Sequence, residues 1–103
     1  MVSVIYSTTG TIENARVIAV ALVKEKLVAC VSIIPNIESI YRWQGKIEEA
    51  NEYLLMIKTT ERNVEKTIQK IRQLHSYKVP EILVLPPVGG LKEYLDYVED
   101  ETA

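Results

Sequence analysis

A chain of 103 residues with 48% hydrophobic and 25% charged residues has the composition of one globular domain, which we place at residues 1–103. A formal net charge of −2 and the lack of a long apolar run argue against nucleic acid and membranes as partners. The single cysteine excludes an internal disulfide and is typical of a reducing compartment. We expect a cytoplasmic protein, because the N-terminus lacks the pattern of a secretory signal.

The first segment, Met1 to Ser7, is rich in β-branched and aromatic residues and is followed by Thr-Thr-Gly, which predicts a central β-strand. Thr11 is well placed to cap a helix that begins near Ile12. Small and aliphatic residues then recur at helical spacing and predict a helix with one face packed on a sheet. These residues are Ala15, Ile18, Ala19 and Leu22.

The stretch from Leu27 to Thr60 has the pattern of one long β-hairpin that turns at Gln44-Gly45. Its first arm is apolar or small on both faces from Val28 to Ile34, which predicts a strand buried on both sides. Pro35 has no N–H to donate to a neighbouring strand and therefore predicts a bulge.

Thr60 is predicted to cap a second helix, and His75 continues the apolar stripe of that helix. Pro80 ends helical structure, so Glu81 to Leu85 is predicted to form a last buried strand. An amphipathic helix follows Gly90. The order β-α-β-β-α-β plus a terminal helix predicts an α+β sandwich of the ferredoxin-like type, with one antiparallel sheet and helices on one face.

The hairpin is too long for the rest of this domain. Each arm has about 15 residues and spans about 50 Å, whereas helices of about 14 residues cover about 21 Å of it. The outer half of the hairpin is predicted to carry an apolar patch on one face, formed by Ile37, Tyr41, Trp43 and Ile47. A lone copy would not expose such a patch, so we predict that neighbouring copies cover it in a closed ring, with a homotrimer as the preferred form.

Three side chains are candidates for a metal site: Cys30, His75, which is the only histidine, and Glu81. Thiolate, imidazole and carboxylate groups are ligands for copper and zinc. The spacing of the three matches no known metal motif, so such a site would be assembled in space or across subunits. Two of them also have a structural interpretation, with Cys30 as a small buried hydrophobe and His75 as a helix cap or packed ring.

Enzymatic chemistry finds little support in the sequence. The hydroxyl groups of Ser7 to Thr9 are far along the chain from the only histidine, and Gly89-Gly90 lacks the pattern of a phosphate-binding loop. Acylphosphatases share the predicted fold but need an arginine-bearing loop after the first strand, and Ser7 to Thr11 contains no arginine. We therefore predict a protein that is not an enzyme and has no organic cofactor.

Three segments of the chain together resemble the signatures of the CutA family of divalent-cation tolerance proteins: LVACVSIIPNIESIYRWQGKIEE, LLMIKTT and HSYKVPEI. The resemblance covers nearly the whole chain in order. It implies a ferredoxin-like homotrimer, similar in architecture to PII signalling proteins, located in the cytoplasm and linked to tolerance of copper and other divalent cations.

The resemblance also implies roles for particular residues. Metal binding in the family is associated with the histidine that His75 matches and with a cysteine just after the first strand. Ser7 stands at that second position and is a poorer ligand for soft metals. Cys30 matches another cysteine of the family.

Two functions are therefore expected as alternatives. The first is a homotrimer that binds copper(II) or a similar divalent cation through His75, with Cys30 and Glu81 as partners. The alternative is a PII-like sensor or adaptor that binds a small effector or a protein at the clefts between subunits, with contacts around Trp43, Gln44 and Lys46.

Overall fold

The computed structural model describes all residues from Met1 to Ala103 and has the predicted element order. A short 3₁₀ turn, Glu61–Asn63, precedes the second helix. The other elements are β1 (Val2–Thr9), α1 (Ile12–Lys24), β2 (Cys30–Trp43), β3 (Lys46–Thr60), α2 (Val64–Leu74), β4 (Ile82–Leu85) and α3 (Lys92–Glu101).

The strands form one antiparallel sheet in the order β2-β3-β1-β4. The central position predicted for the first strand is confirmed, since β1 lies between β3 and β4. The prediction that β2 and β4 are buried strands is wrong for a single chain, because both lie at the edges of the sheet. Ile34 on β2 is 37% exposed and Leu83 on β4 is 57% exposed.

The hydrophobic core lies between one face of the sheet and the helices α1 and α2. Ile5 and Ile57 are directly opposite each other on β1 and β3 and share this face. Each aliphatic side chain buried there stabilises the fold by about 1.5–3 kcal/mol. The core contains Ile5, Ala15, Ile18, Leu22, Val28, Leu55, Ile57 and Ile71. None of the helices is both long and apolar enough to cross a membrane.

Helix α1 begins as predicted, whereas α2 does not. The Thr11 hydroxyl accepts a hydrogen bond of 3.1 Å from the backbone N–H of Asn14, which caps α1. Thr60 makes no such bond at the start of the next helical segment, so its predicted capping role is wrong. Its hydroxyl instead bonds the Thr102 hydroxyl at 3.2 Å, because both side chains are buried where β3 meets the end of α3.

The hairpin formed by β2 and β3 extends beyond the rest of the sheet, as predicted. β2 and β3 have 14 and 15 residues, against 13 in α1. Tyr53 is the last residue of β3 toward the turn that pairs with β1, so residues 46–52 pair with β2 alone. We call this outer part of the hairpin, residues 37–52, the arm. The predicted bulge at Pro35 is confirmed by a shift in register between Ile34 and Ile37.

The register corrects the predicted patch on the arm. Arg42 lies opposite Ile47, and opposite residues of a strand pair share a face. Tyr41 and Trp43 flank Arg42 in the strand and therefore project from the other face. The prediction that Ile47 shares a face with these two aromatic residues is wrong, and Ile47 instead lies on the same face as Ile40. Both faces of the arm consequently expose apolar side chains.

Candidate functional site

A cleft of about 930 Å³ lies where the arm leaves the rest of the domain. One wall is the outer half of β2, and the other is the segment 76–81 that joins α2 to β4. Three carboxylates and one ammonium group line this cleft, so its electrostatic potential favours cations. The charged and large aromatic residues that line it are Glu38, Glu52, Glu81, Lys78, Tyr41, Trp43 and Tyr77.

Glu52 is the most deeply buried of these carboxylates. It lies on β3 just beyond the end of β1, is only 8% exposed, and takes part in none of the ion pairs of the chain. The Tyr77 hydroxyl donates a hydrogen bond of 2.8 Å to Glu52 Oε2. A buried carboxylate without a cation costs free energy unless hydrogen bonds compensate, so Tyr77 is its main support within the chain.

Tyr77 remains protonated over the physiological pH range. Burial, followed by the hydrogen bond and charge of Glu52, raises the pKa of Tyr77 to about 12. The ring passes close to Gly10, where an added Cβ would lie only 2.9 Å from the Tyr77 hydroxyl oxygen. Gly10 therefore leaves the space that lets Tyr77 reach Glu52.

His75 positions Tyr77 through hydrogen bonds of its ring. It closes α2 with an extended backbone instead of continuing the helical stripe, which corrects the prediction from the sequence. Its Nδ1 accepts a hydrogen bond of 2.9 Å from the Tyr77 backbone N–H, and its Nε2 lies 2.7 Å from the Thr8 carbonyl oxygen. Since the Tyr77 N–H can only donate and the carbonyl can only accept, the ring is neutral and carries its proton on Nε2. Both ring nitrogens are thus occupied, and a metal would have to displace one of these partners.

The predicted metal ligands do not all meet within one chain. Glu81 lines the cleft, and His75 bonds to two residues of its wall. Cys30 lies opposite Lys58, and the same lysine lies opposite Val4 on β1. Cys30 is therefore at the other end of the sheet.

The sheet geometry gives the scale of this separation. Thr8, which His75 contacts, is four residues along β1 from Val4, or about 13 Å at the usual rise of a strand. β2 is in addition two strands away from β1. No three His, Cys, Asp or Glu side chains of one chain are arranged to hold a metal ion, so a single chain does not supply a complete metal site.

Ser7 is also remote from the cleft. It lies opposite Leu55 on the sheet face that packs against the helices, and its side chain is fully buried. Its hydroxyl has no hydrogen-bond partner. The position linked to metal binding by the family resemblance is therefore closed off in this chain.

Sequence reasoning missed Glu52 and Tyr77, which form a hydrogen-bonded pair in the cleft. Tyr77 lies within the HSYKVPEI segment, but nothing in that segment indicates which carboxylate it contacts. The pair is separated by 25 positions in the chain. Only the folded register of β3 against β1 places Glu52 where the tyrosine can reach it.

Comparison with known proteins supports the family resemblance along the whole chain. A family model described as "CutA1 divalent ion tolerance protein" matches residues 3–101. The "Divalent-cation tolerance protein CutA" of Thermus thermophilus is 47% identical over 102 residues, which are 99% of each chain. The human "Protein CutA" is 43% identical over 101 residues, which are 98% of this chain. This chain spans 56% of the human protein and 54% of the Arabidopsis thaliana "Protein CutA, chloroplastic".

Solved structures show the same fold. The divalent cation tolerance protein Cut A1 of Thermus thermophilus superposes with a TM-score of 0.97 at 47% identity, covering 100% of both chains. CutA from Xylella fastidiosa gives a TM-score of 0.96 at 40% identity, covering 99% of this chain and 98% of that chain. From the family match over residues 3–101 and these full-length similarities, the chain belongs to the CutA1 family of divalent ion tolerance proteins.

Proposed function

We propose that this protein contributes to tolerance of divalent cations as a non-enzymatic homotrimer that binds copper(II) or a similar ion between its subunits. The observation that carries the proposal is the incomplete site in one chain. Glu81 lines a cleft that attracts cations, and His75 hydrogen-bonds two residues of that cleft, but no three ligating side chains of one chain are placed to hold an ion. In the proposed assembly a neighbouring copy supplies the missing ligands.

The exposed arm supports assembly. Trp43 is 50% exposed and Ile47 is 69% exposed, which are large values for apolar side chains on an ordered strand. Apolar surface of this kind is usually covered by a partner. We propose that Ile37, Tyr41, Trp43 and Ile47 contact neighbouring copies, with the two faces of the arm serving different contacts.

Each candidate ligand has a different place in this proposal. Glu81 binds the ion from the cleft without rearrangement. His75 binds only after it releases Thr8 or Tyr77, so metal binding competes with internal hydrogen bonds. Cys30 reaches the ion only if a neighbouring copy presents it, because within one chain it lies far from the cleft.

Titration of the assembled protein with copper(II) and zinc tests the ligand assignment. We expect Glu81→Gln and His75→Gln each to lower the affinity for copper at least tenfold, since each removes one coordinating group. Glu93→Gln is the matched control, because Glu93 is exposed on α3 and forms no ion pair. Unchanged affinity in both cleft variants would show that the ligand assignment is wrong.

A sensor or adaptor function is the second candidate, and the cleft is the observation that favours it. Its volume of about 930 Å³ lies within the range typical of small-molecule sites, and its lining mixes aromatic and charged groups. A thermal-shift screen of the assembled protein against a metabolite panel tests this function. Stabilisation by one compound class supports an effector role, and no response across the panel contradicts it.

We propose a cytoplasmic location, supported by the one cysteine of the chain, which is unpaired. Relatives are named for different compartments. The Arabidopsis relative is named chloroplastic, and the Archaeoglobus fulgidus structure is named periplasmic. Fractionation of the native host with an antibody against the chain tests the location, and recovery outside the cytoplasm contradicts it.

A further inference from the structure

One oxygen of Glu52 faces the cleft without a partner from the chain. Oε2 accepts the Tyr77 hydroxyl, whereas Oε1 receives no hydrogen bond and no basic group lies within ion-pair distance. Ser7 Oγ is the only completely sealed polar side-chain atom that lacks a partner, so Oε1 retains access to solvent. Because Glu52 lines the cleft, that access is through the cleft.

The surroundings of Glu52 favour a positively charged ligand. Glu38 and Glu81 line the same cleft, and Lys78 is the only basic residue there. A carboxylate that is more than nine-tenths buried is stabilised strongly by a cation that donates hydrogen bonds to it. The cleft therefore presents one deep anionic acceptor with two further carboxylates around it.

The shape of the cleft suits an elongated organic cation. Glu52 lies opposite Ile37 on β2, and Tyr41 projects from the same face four residues further along. At the usual strand rise, Glu52 and Tyr41 are about 13 Å apart along the arm. The aromatic ring of Tyr41 can bind alkyl chains and ammonium groups through its face. Within one chain the three carboxylates of the cleft are not placed to hold one metal ion together.

We propose that this cleft binds a linear aliphatic polyamine, with one ammonium group on Glu52 Oε1 and its alkyl chain running along Tyr41. Further ammonium groups of the ligand then lie near Glu38 and Glu81. The inference rests on the effector role given above as the second candidate function, and its ligand shares Glu81 with the proposed copper site. The charge and the length of the cleft indicate polyamines as the class of effector.

Calorimetric titration of the full-length, assembled protein with spermidine tests the proposal. We expect saturable binding to the wild type and at least a tenfold loss of affinity in Glu52→Gln. The amide of this variant keeps an oxygen that can accept the Tyr77 hydroxyl, so the fold is retained, and the melting temperature checks this. Butylamine, which carries a single ammonium group, is expected to bind at least tenfold more weakly than spermidine.

Glu49→Gln is the matched control. Glu49 lies on the same strand but on the opposite face of the arm, and it does not line the cleft. Its removal changes the net charge equally, so we expect spermidine affinity within twofold of wild type. An equal loss in both variants would mean diffuse charge attraction and would overturn the proposal.

Other results separate this proposal from the functions above. If spermidine gives no binding while the metabolite panel reveals another compound class, the polyamine proposal is overturned and the effector function stands. If a basic side chain of a neighbouring copy pairs with Glu52, spermidine does not bind and Glu52→Gln weakens the assembly, which also overturns it. Copper affinity in the same preparations reports on the metal function independently.

Discussion

His75 links the end of β1 to the cleft through a chain of hydrogen bonds. Its ring joins the Thr8 carbonyl to the Tyr77 backbone, and the Tyr77 hydroxyl continues to Glu52. The only histidine of the chain therefore has a clear structural task, which was one of the interpretations the sequence left open. At the scale of single residues, the fold and the cleft depend on the same side chains.

We predict that His75→Ala lowers the free energy of unfolding by about 2–4 kcal/mol. The change leaves the Thr8 carbonyl and the Tyr77 N–H without their buried partner, and each such group costs about 1–3 kcal/mol. Urea denaturation followed by circular dichroism measures the effect. A loss below about 1 kcal/mol would show that water replaces the ring without penalty and would contradict the structural role.

Ser7 offers the opposite case, a hydroxyl whose removal should help. Its Oγ is sealed in the interior without a hydrogen bond. We predict that Ser7→Ala raises the free energy of unfolding by about 1 kcal/mol, because an unpaired buried polar group is destabilising. Ser3→Ala is the control, since the Ser3 hydroxyl lies on the same strand but is not an unpartnered sealed group. A loss of stability in Ser7→Ala would indicate that Oγ has a partner after all.

The raised pKa of Tyr77 makes the stability of the fold depend on pH in the alkaline range. Burial and the neighbouring Glu52 raise the pKa of Tyr77 from 10.0 to about 12. The fold therefore favours the neutral phenol, and this stabilisation is complete below about pH 10 and is lost as the pH rises through about 12. We expect the stability of wild type to fall more steeply over this window than that of Tyr77→Phe. Parallel slopes in denaturant titrations from about pH 9 to 12 would contradict the assignment.

At the scale of elements, the arm shows what could be predicted from sequence and what could not. Pro35 predicted the bulge and Gly45 the turn, because both residues restrict or extend the backbone in known ways. The face of Ile47 depends on the pairing between the two arms of the hairpin. Alternation within each strand does not fix that pairing, because the number of residues in the turn decides which residues face each other.

The turn between β2 and β3 contains a residue that is poorly suited to its backbone conformation. Gln44 and Gly45 both have positive φ, at 50° and 80°, which is typical of a two-residue hairpin turn. Glutamine is poorly suited to this conformation, whereas asparagine adopts it more readily. We predict that Gln44→Asn raises the melting temperature by a few degrees, corresponding to about 0.5–1 kcal/mol. Gly45→Ala is expected to lower it, and a fall in both variants would contradict the assigned turn.

The candidate site was less predictable than the fold for a physical reason. Residue types such as Cys30 and His75 can be recognised in a sequence as metal ligands, but ligation requires contact in space. Contact between Glu52 and Tyr77 depends on β3 extending past β1 and on α2 ending at His75. Helix and strand periodicity describe each element separately. They therefore predict neither the burial of Glu52 nor the separation of Cys30 from the cleft.

At the scale of the whole molecule, the edges of the sheet explain why burial was over-predicted. β2 and β4 have apolar residues on both faces, as buried strands do, yet each is an edge strand in one chain. The molecule is also elongated, at 44 × 26 × 22 Å, because the arm projects from it. An edge with unpaired backbone groups and apolar side chains is suited to pairing with another copy. The proposed trimer would bury these strands as their sequences predict.

Native mass spectrometry of the protein with and without copper(II) tests the central claim that the cation site is completed between copies. We predict a trimer in both conditions, with copper bound to the trimer and not to monomers released from it. His75→Gln and Glu81→Gln should retain the trimer and lose the metal. A monomer that carries copper stoichiometrically, or a trimer that binds none at micromolar concentrations, would contradict a copper site formed between copies.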